Sequence, residues 1–309
     1  MILQGPILGT ALGTLFTLST LVVSSHYQYN LPLVSMQGGF MGFLGALVYG
    51  SVTRQGLGPE NHYAQAATAG ITAATLIMAW GLLHRIKDSG ASPPPNFGMV
   101  LPKSLRSVME EKGTLWFIFG YVLIFYGIFV LSIYLVVILT QQPALFPPDL
   151  GALVLTTCLS TAAASACISA NPIVRRRIGP VNILIAACVL AGAVSILPCF
   201  MPYVWLTFIA AAAYGIGLGP IIALHIKSTT VFHAELVVWH PDMLARTAIM
   251  MALGGVSAFT GLLVSAILIE SLQDGAKIAF GIAAGCLVGG GLLMGPARWR
   301  RCGDLRVSI

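Results

Sequence analysis

Charge is what this sequence has least of. Only 8% of its 309 residues are Asp, Glu, Lys or Arg, while 57% are hydrophobic. A soluble globular chain is roughly 25% charged, so that class is excluded. Intrinsic disorder needs low hydrophobicity and high charge, and it is excluded too. The acidic residues are Glu60, Asp88, Glu110, Glu111, Asp149, Glu235, Asp242, Glu270, Asp274 and Asp304, all in loops or at the ends of apolar runs. With no carboxylate at mid-depth, a carboxylate proton relay is disfavoured. An intramembrane hydrolase is disfavoured as well, because no acid, base and nucleophile converge. The sequence has no H-E-x-x-H, no G-x-S-x-G and no Walker loop. The six cysteines lack metal-ligand spacing such as C-x-x-C and read as small buried hydrophobes. No enzyme activity, metal or cofactor is implied. The net charge of +6 is read as loop asymmetry rather than as a nucleic-acid footprint.

What the sequence does have is long apolar runs. Nine are long enough to cross about 30 Å of hydrocarbon as helices: residues 6–25, 32–53, 63–83, 115–139, 150–170, 181–200, 203–226, 247–269 and 276–294. Strands of a membrane barrel would alternate apolar and polar over about ten residues, and these runs do not. The first run has no basic residue before it and no small-residue cleavage site, so it is read as a span rather than a signal peptide. The expected fold is all-α, a polytopic membrane protein in contact with the lipid bilayer.

Most loops are short. The segment from His84 to Thr114 is the longest, and Pro93, Pro94 and Pro95 prevent a continuous helix through it. It sets three spans (residues 1–84) apart from six (residues 115–297), with residues 85–114 as a central loop and 298–309 as a basic tail. Within the loop, Leu105, Val108 and Met109 have near-helical spacing and predict a short surface helix over 103–112. If the central loop is cytoplasmic, so are Arg85, Lys87, Lys103, Arg106, Lys112, Arg175, Arg176, Arg177, Lys227, Arg246, Arg298, Arg300, Arg301 and Arg306. Only Arg54 and Lys277 then lie on the other side. The positive-inside rule therefore predicts a cytoplasmic C-terminus and an N-terminus on the opposite side, in the plasma membrane or an internal membrane.

An internal likeness accompanies this pattern. "GGFMGFLGALV" at 38–48 aligns with "GGVSAFTGLLV" at 254–264, pairing Gly38, Gly39, Phe43, Gly45, Leu47 and Val48 with Gly254, Gly255, Phe259, Gly261, Leu263 and Val264. The preceding spans carry Gly9 with Gly13 and Gly215 with Gly219 in G-x-x-x-G spacing. Small residues let helix backbones approach closely in lipid, so these glycines are expected at packing faces. Parallel repeats of three-helix units are a pattern of secondary transporters.

Several segments carry a family likeness. They are "SSHYQYNLPLVSMQGGFMGFLGALVYGSVTRQGL", "NPIVRRRIGPVNILI" and "AAAYGIGLGPIIAL". Together with the central loop, the chain resembles the major facilitator superfamily, and within it the monocarboxylate-transporter-like branch of fungal type. The resemblance implies that the six later spans form a complete C-terminal half. It also implies that the three earlier spans are helices four to six of the N-terminal half, leaving the family's first three helices without a counterpart in this sequence. The implied function is alternating-access transport of a small organic solute of monocarboxylate type. A truncated, non-transporting paralogue acting as a membrane interaction protein, or an incomplete gene product, is the alternative. A homo-oligomer is one arrangement that would supply the missing wall. Two departures stand out. Arg176 occupies the acidic position of the family's basic turn, and the span at 150–170 lacks the carboxylate and arginine of proton-coupled members.

The candidate site residues follow. Arg175, Arg176 and Arg177 before Gly179 read either as a cytoplasmic gate latch or as an orientation signal touching anionic lipid. Tyr126 and Tyr134 lie within about 80° of each other on a helix and, by the resemblance, on a cavity-lining span. Each could bind a carboxylate or hydroxylated solute, or simply pack. Gln37 and Tyr214 are polar groups within spans, suited to substrate or to interhelical hydrogen bonds. His225, His233 and His240 lie at or after the end of the seventh span, as pH-sensing or merely solvated groups.

Overall fold

In the computed structural model the described residues are 40–48, 70–78, 81, 111–140, 148–197, 203–233 and 242–302, and helix is their only regular secondary structure. Spanning a membrane requires every backbone N–H and C=O to be satisfied within the segment, which a helix does. Eight helices follow the central loop: α1 (Thr114–Gly127), α2 (Val130–Thr140), α3 (Pro148–Ala170), α4 (Pro172–Ile178), α5 (Pro180–Ser195), α6 (Val204–His233), α7 (Asp242–Ser271) and α8 (Gly275–Cys302). Residues 40–48 and 70–78 are also helical.

Among the described residues, five helical segments are long and apolar enough to cross a membrane: Thr114–Leu139 (α1 with α2), Leu150–Ala170, Val204–Thr229, Arg246–Ser271 and Gly275–Arg301. They identify a polytopic membrane protein. The run at 181–200 becomes α5, joined to α4 through a bend of 89°. Large apolar side chains point outward all around the bundle, among them Phe119, Ile133, Ile168, Trp205, Ile209, Leu292 and Trp299. An exposed apolar surface of this extent marks contact with an apolar medium.

Contacts fix the helix directions. Gly113, Gly120 and Gly127 of the α1 segment approach Ala297, Gly290 and Ala283 of α8, so these two run antiparallel. Ser257 Oγ donates to the Val122 carbonyl and Gly261 sits on the Tyr126 backbone, so α7 runs parallel to α1. Gly215 and Gly219 of α6 meet Cys158, Thr161, Ala162 and Ser165 of α3, also in parallel. Gly217 of α6 meets Ala187 and Ala191 of α5, while Gly192 of α5 meets Ala284 and Val288 of α8. Successive spans thus alternate in direction, and α8 lies between α1 and α5.

The core between them holds Phe117, Tyr121, Tyr214, Leu224 and Phe280, all essentially inaccessible. Phe43, from the earlier spans, is buried within the same apolar cluster. In lipid the driving force for such packing is close van der Waals contact rather than removal from water. That is why glycines cluster at the contacts: a Cβ at Gly219 would fall onto the Ala162 carbonyl and the Ser165 hydroxyl.

Candidate functional site

The alternating directions gather the starts of α1, α5 and α7 and the ends of α3, α6 and α8 at one end of the bundle. That end carries Lys112, Arg175, Arg176, Arg177, Lys227, Arg246, Arg298, Arg300 and Arg301. Lys277 lies at the other end, paired with Asp274 at 2.8 Å. Among the described residues, the cations thus gather at one end of the bundle, with Lys277 at the other.

The basic turn is more structured than a loop. Asn171 caps α4 by accepting a hydrogen bond from the Ile173 N–H at 2.9 Å, and Pro172 takes the first helical position, where a missing N–H costs nothing. α4 then carries Arg175, Arg176 and Arg177 in its last turn and ends at Gly179. Gly179 has φ 84° and ψ 142°, a region that is essentially glycine's alone. The chain turns there into α5. The buried guanidinium of Arg298 lies against this glycine: a Cβ there would sit 3.3 Å from Nη2 and 3.4 Å from Nη1. Desolvation, and then the neighbouring Arg176, lower the pKa of Arg175 from its ordinary value. Arg175 also repels Lys227 of α6 electrostatically.

On the other side of α8 stands a carboxylate. Glu111 accepts a hydrogen bond from Arg246 Nη1 of α7 at 2.9 Å, and its second oxygen lies 3.8 Å from Arg301 Nη1 of α8. Gly113, two residues on, packs onto the Ala297 backbone with φ 86°. Glu111 therefore ties the end of the central loop to two helices. Arg300 lies over the Trp116 ring at 5.6 Å. Among the described residues no ion pair to Arg175, Arg176 or Arg177 is seen; the ion pairs at this end run through Glu111, Arg246 and Arg301. The pair Glu110-Glu111 directly before an apolar span is the sequence signal that could have pointed to it.

The mid-bundle candidates are placed as follows. Tyr214 is fully buried on α6 and its hydroxyl donates to the Ile128 carbonyl at the junction of α1 and α2. Tyr134 is half-buried and donates to the Leu262 carbonyl of α7 at 2.9 Å. Tyr126 is half-buried, its backbone against Gly261. His225 is buried; its Nδ1 lies 2.7 Å from the Ile222 carbonyl and its ring meets Phe125 edge-on at 5.6 Å. Gly254 faces the rings of Tyr121 and Phe125, whereas Gly45 and Gly255 face open space. Gln37, Gly38, Gly39 and the expected surface helix before Glu111 lie outside the described residues, as do His233 (its side chain) and His240. The aligned pair Phe43 and Phe259 differ in setting: the first is buried and the second exposed. Among the described residues no cluster of His, Cys, Asp and Glu could hold a metal ion.

Comparison with known protein-family models finds no match to this sequence, and comparison with curated proteins finds none either.

Proposed function

We propose that the chain is a secondary transporter for small organic acids of monocarboxylate type. It would work by alternating access, with nine spans, a cytoplasmic C-terminus and the layout of the major facilitator superfamily. The observation that carries this reading is a local irregularity at Ile128 and Phe129, near the middle of an apolar span that otherwise continues as one helix, where the Tyr214 hydroxyl meets the Ile128 carbonyl. Transporters place discontinuous helices at the midplane, where backbone dipoles released from the helix ladder meet the solute. Irregular backbone at that depth is tolerated only inside protein or beside a cavity. Here the Ile128 carbonyl is held by Tyr214 from α6, and Tyr126 and Tyr134 flank the irregularity. Tyr214 fixes this segment. The half-buried Tyr134 phenol would exchange its bond to Leu262 for a solute carboxylate. No described span carries a charge at this depth, so solute recognition would rest on hydroxyls and backbone dipoles rather than on an ion pair.

The test is uptake of labelled small monocarboxylates into proteoliposomes, with and without a pH gradient. Saturable uptake weakened by Tyr134→Phe supports the proposal. A second reading, a non-transporting membrane interaction protein, is favoured by α7. That helix leaves a continuous stripe of Val256, Phe259, Leu263 and Ile267 uncovered. Absence of uptake by a well-folded preparation across a broad solute panel would select it.

A further inference from the structure

We propose that α4 lies in the plane of the membrane at the basic end of the bundle, with Ile173 entering the acyl layer and Arg176 and Arg177 holding anionic lipid headgroups. Direction comes first. α5 packs along α6, where Gly217 meets Ala187 and Ala191, and along α8, where Gly192 meets Ala284 and Gly291 meets Cys188. It therefore follows the bundle axis. α4 joins it through a bend of 89°, so α4 runs across that axis, level with the start of α5. Around a spanning helix, that is the depth at which acyl chains give way to headgroups.

Support for so short a helix is the second point. Seven residues are too few to stay helical in water on their own, and α4 buries none of its residues. It packs chiefly against α3 and α5, the helices it joins. Pro172, Ile173, Val174 and Ile178 are apolar, and Ile173 and Ile178 are 63% and 49% exposed. The interfacial acyl layer supplies the missing apolar surface, as it does for other in-plane helices. The third point is the outer face. Val174 and Arg175 are half-buried, whereas Arg176 and Arg177 are exposed. At 100° per residue the two exposed arginines flank Ile173 within about 60°. In bulk water this face leaves Ile173 uncovered; deep in lipid it strands two guanidinium groups. At the boundary both are answered, because the arginine stems run beside Ile173 and their heads rise to the phosphates. From Asn171 to Asn182 the chain carries three arginines and no acid, so the lipid that complements it is anionic. The inference does not depend on the transport reading, since it uses α4 alone.

The experiment uses the full chain, its own six cysteines replaced, with a nitroxide on a single cysteine at position 173. The protein is placed in nanodiscs of phosphatidylcholine alone or mixed with phosphatidylglycerol. Depth is read from collisions with oxygen, which concentrates in lipid, against collisions with a neutral, water-soluble nickel chelate. The expected result is an oxygen-favoured nitroxide in the mixed nanodisc. Arg176→Gln combined with Arg177→Gln should lower the ratio of inserted to withdrawn α4, read from the two components of the nitroxide spectrum. At low salt the drop should be roughly thirtyfold, taking about fivefold per arginine near an anionic surface. In phosphatidylcholine alone it should be less than about twofold. Unchanged thermal unfolding of that variant in phosphatidylcholine establishes that it folds. A nickel-favoured nitroxide in the mixed nanodisc would overturn the proposal by placing α4 in water. So would an oxygen-favoured nitroxide indifferent both to phosphatidylglycerol and to the two substitutions, which would mean that apolar contact alone holds α4.

Discussion

Consider alanine at two neighbouring glycines of α8. At Gly290 a Cβ would lie 2.7 Å from the Gly120 carbonyl oxygen, 2.8 Å from Ile124 Cγ1 and 3.0 Å from the Ile124 nitrogen. Two of those atoms are backbone, so a rotamer change cannot relieve the clash; α1 and α8 must separate. Overpacking of this kind costs about 1–3 kcal/mol. At Gly289 a Cβ meets nothing within 4 Å. There alanine acts only through helix preference, a gain of up to ~1 kcal/mol. The two substitutions should therefore differ by roughly 1–4 kcal/mol, with Gly290→Ala the destabilising one. Gly120 approaches Gly290 reciprocally, its own Cβ 2.8 Å from the Gly290 carbonyl. The double variant Gly120→Ala with Gly290→Ala should thus be less destabilised than the sum of the two singles, because the helices need part only once. Reversible unfolding in mixed micelles, followed by the fluorescence of the five tryptophans, measures all four proteins. Alanines at 289 and 290 that agree within about 0.5 kcal/mol would refute the α1–α8 register, since surface substitutions normally stay within that range.

Further predictions follow from the same contacts. Tyr214→Phe keeps the ring and deletes the bond to the Ile128 carbonyl; it should cost about 0.6–1.7 kcal/mol, the range for interhelical hydrogen bonds in membranes, in the same unfolding assay. Glu111→Gln removes the charge that faces Arg246 and Arg301; because these groups are partly exposed, the loss should be near 1 kcal/mol and should shrink as salt rises. Gly179→Ala should lower the unfolding temperature through backbone strain of order 1–3 kcal/mol, whereas alanine at Gly255, in open helical space, should not.

The spans themselves were largely legible. Apolar runs at 115–139, 150–170, 203–226, 247–269 and 276–294 coincide with helices because length and hydropathy alone decide that a segment can cross lipid. Gly215 and Gly219 were legible as packing positions for the same kind of reason, their spacing placing both on one helix face. What hydropathy does not encode is direction and partner. The irregularity at Ile128 and Phe129 falls in an unbroken apolar run, and the Tyr214 hydroxyl that meets the Ile128 carbonyl is distant in sequence. Glu111 reads as one more loop acid until the fold brings Arg246 and Arg301 to it. The aligned glycines show the limit of pattern matching: Gly254 and Gly261 touch α1 tightly, while Gly45 and Gly255 touch nothing.

The transport proposal requires that the basic end of the bundle face one side of the membrane and the Asp274–Lys277 end the other. Single cysteines replacing Arg177 and Lys277, in a chain with its own six cysteines removed, test this with a membrane-impermeant thiol reagent applied to sealed vesicles of known orientation. The account predicts that the two positions are labelled from opposite sides, position 177 from the cytoplasmic one. Labelling of both from the same side would contradict it.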